Sequence, residues 1–423
     1  ARVNAIRALG THPGAETAAV LVELLASGDG HVAVTAAEAL ERGGTAAASA
    51  GPALRAVAVD ARKPLHLRTA ALSALAAVSP DAAREAARPL AQDADWRIVA
   101  AAARALAAAG AEGREAVEPM LDGADPRVAA AALDALAAGA GDDAERRAQV
   151  RRLALDAASS GDVILRASAT NALAALEDPS LLIVFLDAYQ RAGRDSLNDA
   201  ALAAVGALGG LSKGRDAPAR AFFARFPRSA DPLVRLTAAA AFGDSAATEA
   251  WGPALPVETG RTQADYEALV RALVVPELER GARPVVRLET SRGTAEVELF
   301  AADAPLTVEN FLRLARARFF DGQAWPRVVP NFVLQGGDPR GDTSGGPGYA
   351  IRDEINRHPY LRGTAGMALS GRDTGGSQFF VTHSAHPHLD GGYTVFGRVL
   401  RGMEALDLVL QGDLLLRVEA LRP

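Results

Sequence analysis

A block of small residues closing on a large apolar one recurs through the first 245 residues of this 423-residue chain, and it limits the possible folds more than any other feature. The anchors are Leu9, Leu40, Leu75, Leu106, Leu136, Leu173, Val205 and Phe242, with successive spacings of 31, 35, 31, 30, 37, 32 and 37 residues. A period of roughly 30–40 residues suits paired-helix repeats. Eleven positions before five anchors stands an aspartate: Asp29, Asp95, Asp125, Asp162 and Asp231. Proline follows at Pro126 and Pro232. A helix-capping aspartate accepts a bond from a free backbone N–H, and proline suits the first helical turn. Each block therefore reads as the start of an inward-packing helix. Small residues, as in A-A-A-A-L-D-A-L at Ala129–Leu136, let neighbouring helices approach closely. One such unit cannot bury its apolar face alone, so the units must stack.

The pattern resembles HEAT-type repeats, about eight of them with the first incomplete. The fold it implies for residues 1–245 is an all-α helical-repeat solenoid. Aromatics are only 5% of the chain, so its core must be built mainly from Ala, Leu and Val. Arrays of this kind present an extended surface to a protein partner, and the alternative is a spacer with no partner of its own. No cluster able to carry chemistry is visible in Ala1–Ser245, and its acids and arginines read as a solvated face.

Composition narrows the function classes. The net charge is -6 and there is no Lys/Arg-rich run, so nucleic-acid binding has no electrostatic support. The absence of cysteine removes disulfides, thiol nucleophiles and Cys-type zinc sites, but suits the cytoplasm and the periplasm equally. Charges interrupt the longest Ala-rich stretches, so none reads as a membrane span. The chain opens A-R-V-N-A-I-R-A-L-G, without an initiator Met or a secretory pattern. A missing upstream segment is expected; the alternative is that Ala1 begins a natural capping helix.

Residues 246–283 read as a joint. Trp251, Gly252, Pro253, Pro256 and Gly260 mark a connection. Thr262 is expected to cap a helix with Tyr266, Leu269, Val270 and Leu273 on one apolar face, ended by Pro276. Such a helix could bracket the solenoid to the next domain, or the segment could be a flexible tether.

From Pro284 the period changes to two. Val286 and Leu288 alternate with Arg287 and Glu289; after a turn at Ser291–Gly293, Ala295, Val297 and Leu299 alternate with Glu296 and Glu298. That is a β-hairpin. Thr307 is then expected to cap a helix with Val308, Phe311, Leu312 and Ala315 on one face. Short strands, Gly-rich loops and a helical segment near Met403–Val409 follow. The order suits a closed antiparallel barrel of about eight strands with two capping helices, occupying residues 284–423.

Four blocks in this region carry a resemblance. They are W-P-R-V-V-P-N-F-V-L-Q-G-G-D at Trp325–Asp338, G-M-A-L-S-G at Gly366–Gly371, G-G-S-Q-F-F-V-T at Gly375–Thr382 and H-L-D-G-G-Y-T-V-F-G at His388–Gly397. In this order and spacing they resemble the cyclophilin family of peptidyl-prolyl cis-trans isomerases. The resemblance implies the same barrel, proline-containing polypeptides as substrates, and no cofactor or metal.

The chemistry has few requirements. An uncatalysed prolyl bond turns over in tens to hundreds of seconds. Reaching milliseconds takes about 10⁵-fold, roughly 7 kcal/mol off the barrier. No covalent step is needed; the protein must favour the twisted amide, whose nitrogen gains a lone pair. A fixed planar cation aimed at that nitrogen does so.

By resemblance Arg327 is the catalytic arginine, and Gln335 holds the substrate carbonyl and supports it. Phe332, Val333, Phe380 and Leu389 line the proline pocket, and the backbone of Ala368 and Leu369 pairs with the peptide, a contact that reads any sequence. The sequence departs from the family at four places. His388 replaces a frequent Trp, which is expected to weaken cyclosporin-type inhibitors more than catalysis. Val333 replaces Met, Leu369 replaces Asn, and Tyr393 replaces a His but can still stack and donate a hydrogen bond.

The Gly-rich run Gly336–Gly348 lacks a P-loop lysine and reads as a loop beside the site. His383, His386 and His388 could suggest a metal, but inside this motif they read as part of the domain. The expected function is a peptidyl-prolyl isomerase that holds clients through its helical arm. The rival is a scaffold whose barrel binds proline peptides with little catalysis. Ala/Arg/Gly-heavy usage looks bacterial, and the cell envelope is the expected compartment ahead of the cytoplasm.

Overall fold

A computed structural model describes residues 2–211, 216–253 and 260–422. Ala1 and Pro256, two residues of the sequence reading, lie outside the described residues. The chain divides into two compact units, essentially the residues up to Leu255 and those from Pro256 onward.

In the N-terminal unit the repeating block is helical each time: Gly30–Gly43, Leu65–Val78, Trp96–Ala108, Pro126–Ala138, Val163–Ala174, Asp199–Leu211 and Pro232–Phe242. Each of these helices packs on the next in the series, and antiparallel helices between them complete the hairpins. All five spaced aspartates are N-caps whose carboxylates accept backbone N–H groups. Such a cap contributes about 0.5–2 kcal/mol. Seven of the eight anchors, Leu40 through Phe242, are buried. Leu9 is not: it is 37% exposed, and Ile6 fills the buried position of the first helix, Arg2–Leu9. The small residues do let backbones approach. A Cβ added at Gly209 would lie 2.6 Å from the Cβ of Ala241 on the next inner helix.

Two features differ from the sequence reading. Not every arginine here is solvated: Arg166 pairs with Asp195, and Arg68 with Asp93 at 3.3 Å, both arginines nearly buried between successive hairpins. And the joint begins later than residue 246. Asp244–Trp251 is a helix of this unit, because Trp251 is buried, stacks on Tyr189 at 6.0 Å and donates its indole N–H to Phe226 O at 2.9 Å.

The C-terminal unit starts with a helical run. Thr262 and Asp265 form a reciprocal capping box on Gln263–Leu269. The run does not stop at Pro276. It widens into a π-turn at Val270–Val274 and resumes as Val275–Arg280. A proline has no N–H to give, and the wider turn absorbs the lost bond. Leu269 and Leu273 are buried in the core of this unit, whereas Val270 is 42% exposed and leaves the expected face.

Nine antiparallel strands follow: β1 (Val285–Thr290), β2 (Gly293–Leu299), β3 (Gln323–Ala324), β4 (Arg327–Val329), β5 (Val333–Gly336), β6 (Thr364–Met367), β7 (Phe379–Thr382), β8 (Val395–Arg401) and β9 (Leu414–Arg422). Their order is β3-β9-β1-β2-β8-β6-β7-β5-β4. The expected closed barrel of about eight strands is here one nine-stranded ladder with no pairing of β3 to β4 among the described residues. These two edge strands are nonetheless consecutive in the chain, joined through Trp325 and Pro326. The core on one face holds Phe311, Phe320, Trp325, Phe379 and Phe396.

The helix after the hairpin spans Pro305–Arg316 and buries Val308, Phe311, Leu312 and Ala315 as expected. Its cap is not Thr307. Proline at the first position starts the helix earlier, and the capping carboxylate comes from a distant loop. Glu354 accepts the N–H of Leu306 at 3.0 Å, the N–H of Thr307 at 2.8 Å and the Thr307 hydroxyl at 2.8 Å.

Candidate active site

The two-residue alternation of a strand sorts side chains to opposite faces. On β7, Phe379 and Val381 enter the main core while Phe380 points the other way. On β5, Leu334 enters the core while Val333 points away from it. On β4, Val328 is buried in the core and Arg327 is exposed. One residue from each pair is thus delivered to a shared outer surface.

There a second apolar cluster forms from Phe300, Val333, Tyr360, Phe380, Leu389 and Val395, with Phe332, Ala368 and Tyr393 packed against it. Six residues singled out in the sequence therefore meet in one place: Phe332, Val333, Ala368, Phe380, Leu389 and Tyr393. Tyr393 meets Phe380 edge-on, ring centroids 5.8 Å apart. His388 is exposed and stacks on Phe332 at 5.7 Å, so it stands at the rim. Leu369 is half-buried just beyond the end of β6. Ala368 donates its N–H to Gln378 O at 3.0 Å.

Arg327 and Gln335 are cross-strand neighbours. Arg327 Nη1 donates to Gln335 Oε1 at 3.3 Å, and the guanidinium carbon lies 5.8 Å from the centre of the Phe332 ring. Gln335 Nε2 in turn donates to Gln378 Oε1 at 2.8 Å. Gln378 Nε2 then donates to the carbonyls of Thr343 and Gly345, both at 2.8 Å. An amide nitrogen carries two hydrogens, so Gln335 keeps one beyond the relay that can meet a carbonyl.

The Gly-rich run is the anchor of this relay. Buried Asp338 accepts the N–H groups of Arg340, Asp342 and Thr343 at 2.8, 2.8 and 2.6 Å. Burial pushes the Asp338 carboxyl up, and these bonds oppose that shift. At Gly345 a Cβ would lie 2.1 Å from Asp338 Oδ1, so only glycine fits beside this carboxylate.

His383 is tied to a carboxylate, whereas His386 and His388 both pack on Phe332. His383 Nδ1 is 3.2 Å from Asp407 Oδ1, and Arg362 also pairs with that carboxylate. Burial alone would raise Asp407, but the bonds from His383 and Arg362 prevail and hold it far below the usual carboxylate range. His386 sets its edge against Phe332 at 4.7 Å; burial, then the nearby His388, push it below the ordinary histidine value. Among the described residues no group of three or more His, Asp or Glu is placed to hold a metal ion.

The sequence reading did not single out Gln378, although it lies inside the quoted G-G-S-Q-F-F block. It also passed over Tyr360, which is 1% exposed and stacks on Phe380 at 5.4 Å. Neither has a local signature: Gln378 acts across 33–43 residues of sequence and Tyr360 reaches Phe380 across 20.

An apolar slot, a planar cation at its edge and an amide relay behind that cation suit a protein that acts on the conformation of a bound peptide. The family profile described as cyclophilin type peptidyl-prolyl cis-trans isomerase/CLD matches residues 285–415. A peptidyl-prolyl cis-trans isomerase of Synechococcus elongatus is 47% identical over 134 residues, 31% of this chain and 92% of that protein. Peptidyl-prolyl cis-trans isomerase B of Bacillus subtilis is 48% identical over 125 residues, 29% of this chain and 87% of that protein. A solved cyclophilin type isomerase from Cryptosporidium parvum is 30% identical, with a TM-score of 0.32, covering 34% of this chain and 99% of its own. Through its C-terminal unit the chain belongs to the cyclophilin-type peptidyl-prolyl cis-trans isomerases.

Proposed function

We propose that this isomerase turns Xaa-Pro bonds in protein clients at the slot beside β4, β5 and β7, with Arg327 as its central group. The proline ring enters between Phe332, Val333, Phe380, Leu389 and Tyr393, with His388 at the rim. Burying such a ring removes apolar surface from water at about 25 cal/mol per Å². One side of the bond is thereby held while the other turns. Peptide backbone runs along Ala368–Leu369, and Gln335 orients the carbonyl. As resonance is lost, the Arg327 guanidinium faces the lone pair forming on the prolyl nitrogen. The contact of the Arg327 guanidinium with Gln335 and with the ring of Phe332 is the observation that carries this reading. Because the donor is already in place, little reorganisation is needed at the moment of rotation.

The helical unit serves as a HEAT-like client-binding arm, which suits a bacterial cell-envelope foldase. Its support is the stack of seven inner helices, each packed on the next. A protease-coupled assay on an Xaa-Pro peptide tests the catalytic reading. The chain should accelerate cis-to-trans conversion catalytically; a rate equal to the uncatalysed one would contradict it.

A further inference from the structure

A cavity of about 460 Å³ lies outside the proline slot, lined in part by Arg352, Ile355, Leu369, Gly392 and Tyr393. Tyr393 is a shared wall: its ring meets Phe380 in the slot and also borders this cavity. Leu369, at the peptide-pairing edge, borders it too. The cavity is therefore continuous with the path of a bound peptide. An extended chain advances about 3.3–3.6 Å per residue, which places the cavity within one or two residues of the proline.

Its outer walls are tied together. Asp353 donates its N–H to Asp373 Oδ1 at 3.0 Å, and Asp373 returns its N–H to Asp353 Oδ2 at 2.9 Å. Ile351 N–H donates to Gly375 O at 2.7 Å across the same two loops, and Thr374 Oγ1 closes the second loop onto Gly371 O at 2.7 Å. Each acid of the lining thereby turns one oxygen onto a backbone N–H, while Asp353 Oδ1 is buried with no hydrogen-bond partner among the described residues. The rest of the lining is Ile355, itself 46% exposed, Leu369, the Tyr393 ring, two glycines, and Arg372, which pairs with Asp373 at 3.5 Å. At the rim Arg352 is exposed and has no ion-pair partner among the described residues.

We propose that this cavity is a second substrate subsite, taking a large apolar side chain, preferably aromatic, from a residue flanking the proline. The volume admits a Phe, Tyr or Leu side chain. Arg352 can lie over an aromatic ring there, a contact that favours Phe and Tyr over Leu. Since the loops are already pinned, little ordering is needed on binding. The proposal rests on the peptide path given above, and it turns an isomerase with no sequence preference into one that selects aromatic neighbours.

The test uses the full chain and peptides with one Xaa-Pro bond, scanning Gly, Leu, Phe and Glu at each of two positions on either side. Affinity is read by fluorescence anisotropy and turnover by exchange NMR. Phe should bind about tenfold more tightly than Gly at one flanking position. Gly392→Leu fills the hollow; Gly392 has ordinary space for a side chain, 3.5 Å from Leu389 O. Ile355→Asp makes the wall polar. Both variants should reduce the Phe preference to about twofold or less while leaving turnover of the Gly peptide unchanged. Equal affinities at every position, a preference for Glu, or a Phe preference that survives both variants would each overturn the subsite. Loss of turnover in the unmodified chain with the Phe preference intact would instead overturn the catalytic reading.

Discussion

At the residue scale the site depends on groups that hold other groups. The Gln378 side chain does not bond Arg327 directly, yet it fixes Gln335, which holds the guanidinium. Gln378→Leu keeps the volume but removes the relay, so kcat/KM is expected to fall about tenfold with the urea midpoint nearly unchanged. Steady-state kinetics beside an unfolding curve checks this; a fall in midpoint without a fall in kcat/KM would assign Gln378 to stability alone. Asp407 gives a pH signature. Its folded-state pKa lies below the unfolded value, so its contribution is full above the ordinary aspartate range, near 4, and is lost as pH falls toward the folded value. The stability gap between the unmodified chain and Asp407→Asn should be flat above about pH 5 and narrow as pH falls below about 4 in urea titrations. A gap that widens on acidification would contradict the assignment. Arg327, Phe332 and Phe380 were legible because they stand in compact blocks of sequence. Gln378 and Tyr360 were not singled out, because their partners arrive only when β5, β6 and β7 assemble.

At the element scale the sequence located helices better than it located their ends. The five aspartate caps were readable because capping is local: the carboxylate bonds an N–H two or three residues on. The cap of Pro305–Arg316 was not, because Glu354 stands 47 residues from Thr307 and no local rule connects them. Glu354→Gln keeps one acceptor oxygen and is expected to destabilise the C-terminal unit by about 1–2 kcal/mol, while Glu354→Ala should cost more. Equilibrium denaturation of both variants decides it; no loss in either would leave the helix start without its stated support. The run through Pro276 teaches the converse. A proline that reads as a stop was accommodated by a π-turn, since Leu269 and Leu273 are held by the core on either side of the break in pattern. In the helical array, Asp125→Ala should cost about 1 kcal/mol, with Pro126 still favouring the start of that helix. Thermal unfolding followed by circular dichroism reads that change.

At the scale of the whole molecule, the switch from paired-helix spacing to strand alternation was plain in the sequence, but the division between the two compact units falls before it, ahead of the helical run Gln263–Arg280. What periodicity did not convey was the placement of Asp244–Trp251, a helix held in the first unit by aromatic packing around Trp251. If the helical unit captures clients, the full chain should refold a proline-limited protein faster than the C-terminal unit alone, while the two should act equally on short peptides. Equal rates on the protein client would remove the arm from the mechanism. Everything else rests on one cation standing ready beside a rotating amide. The most direct measurement is kcat/KM on an Xaa-Pro peptide for the unmodified chain, Arg327→Lys and Arg327→Ala. The account predicts a loss on the order of 10²–10³-fold for Arg327→Ala, with only partial recovery in Arg327→Lys, which keeps the charge but not the planar fork. Turnover by Arg327→Ala within twofold of the unmodified chain would contradict it.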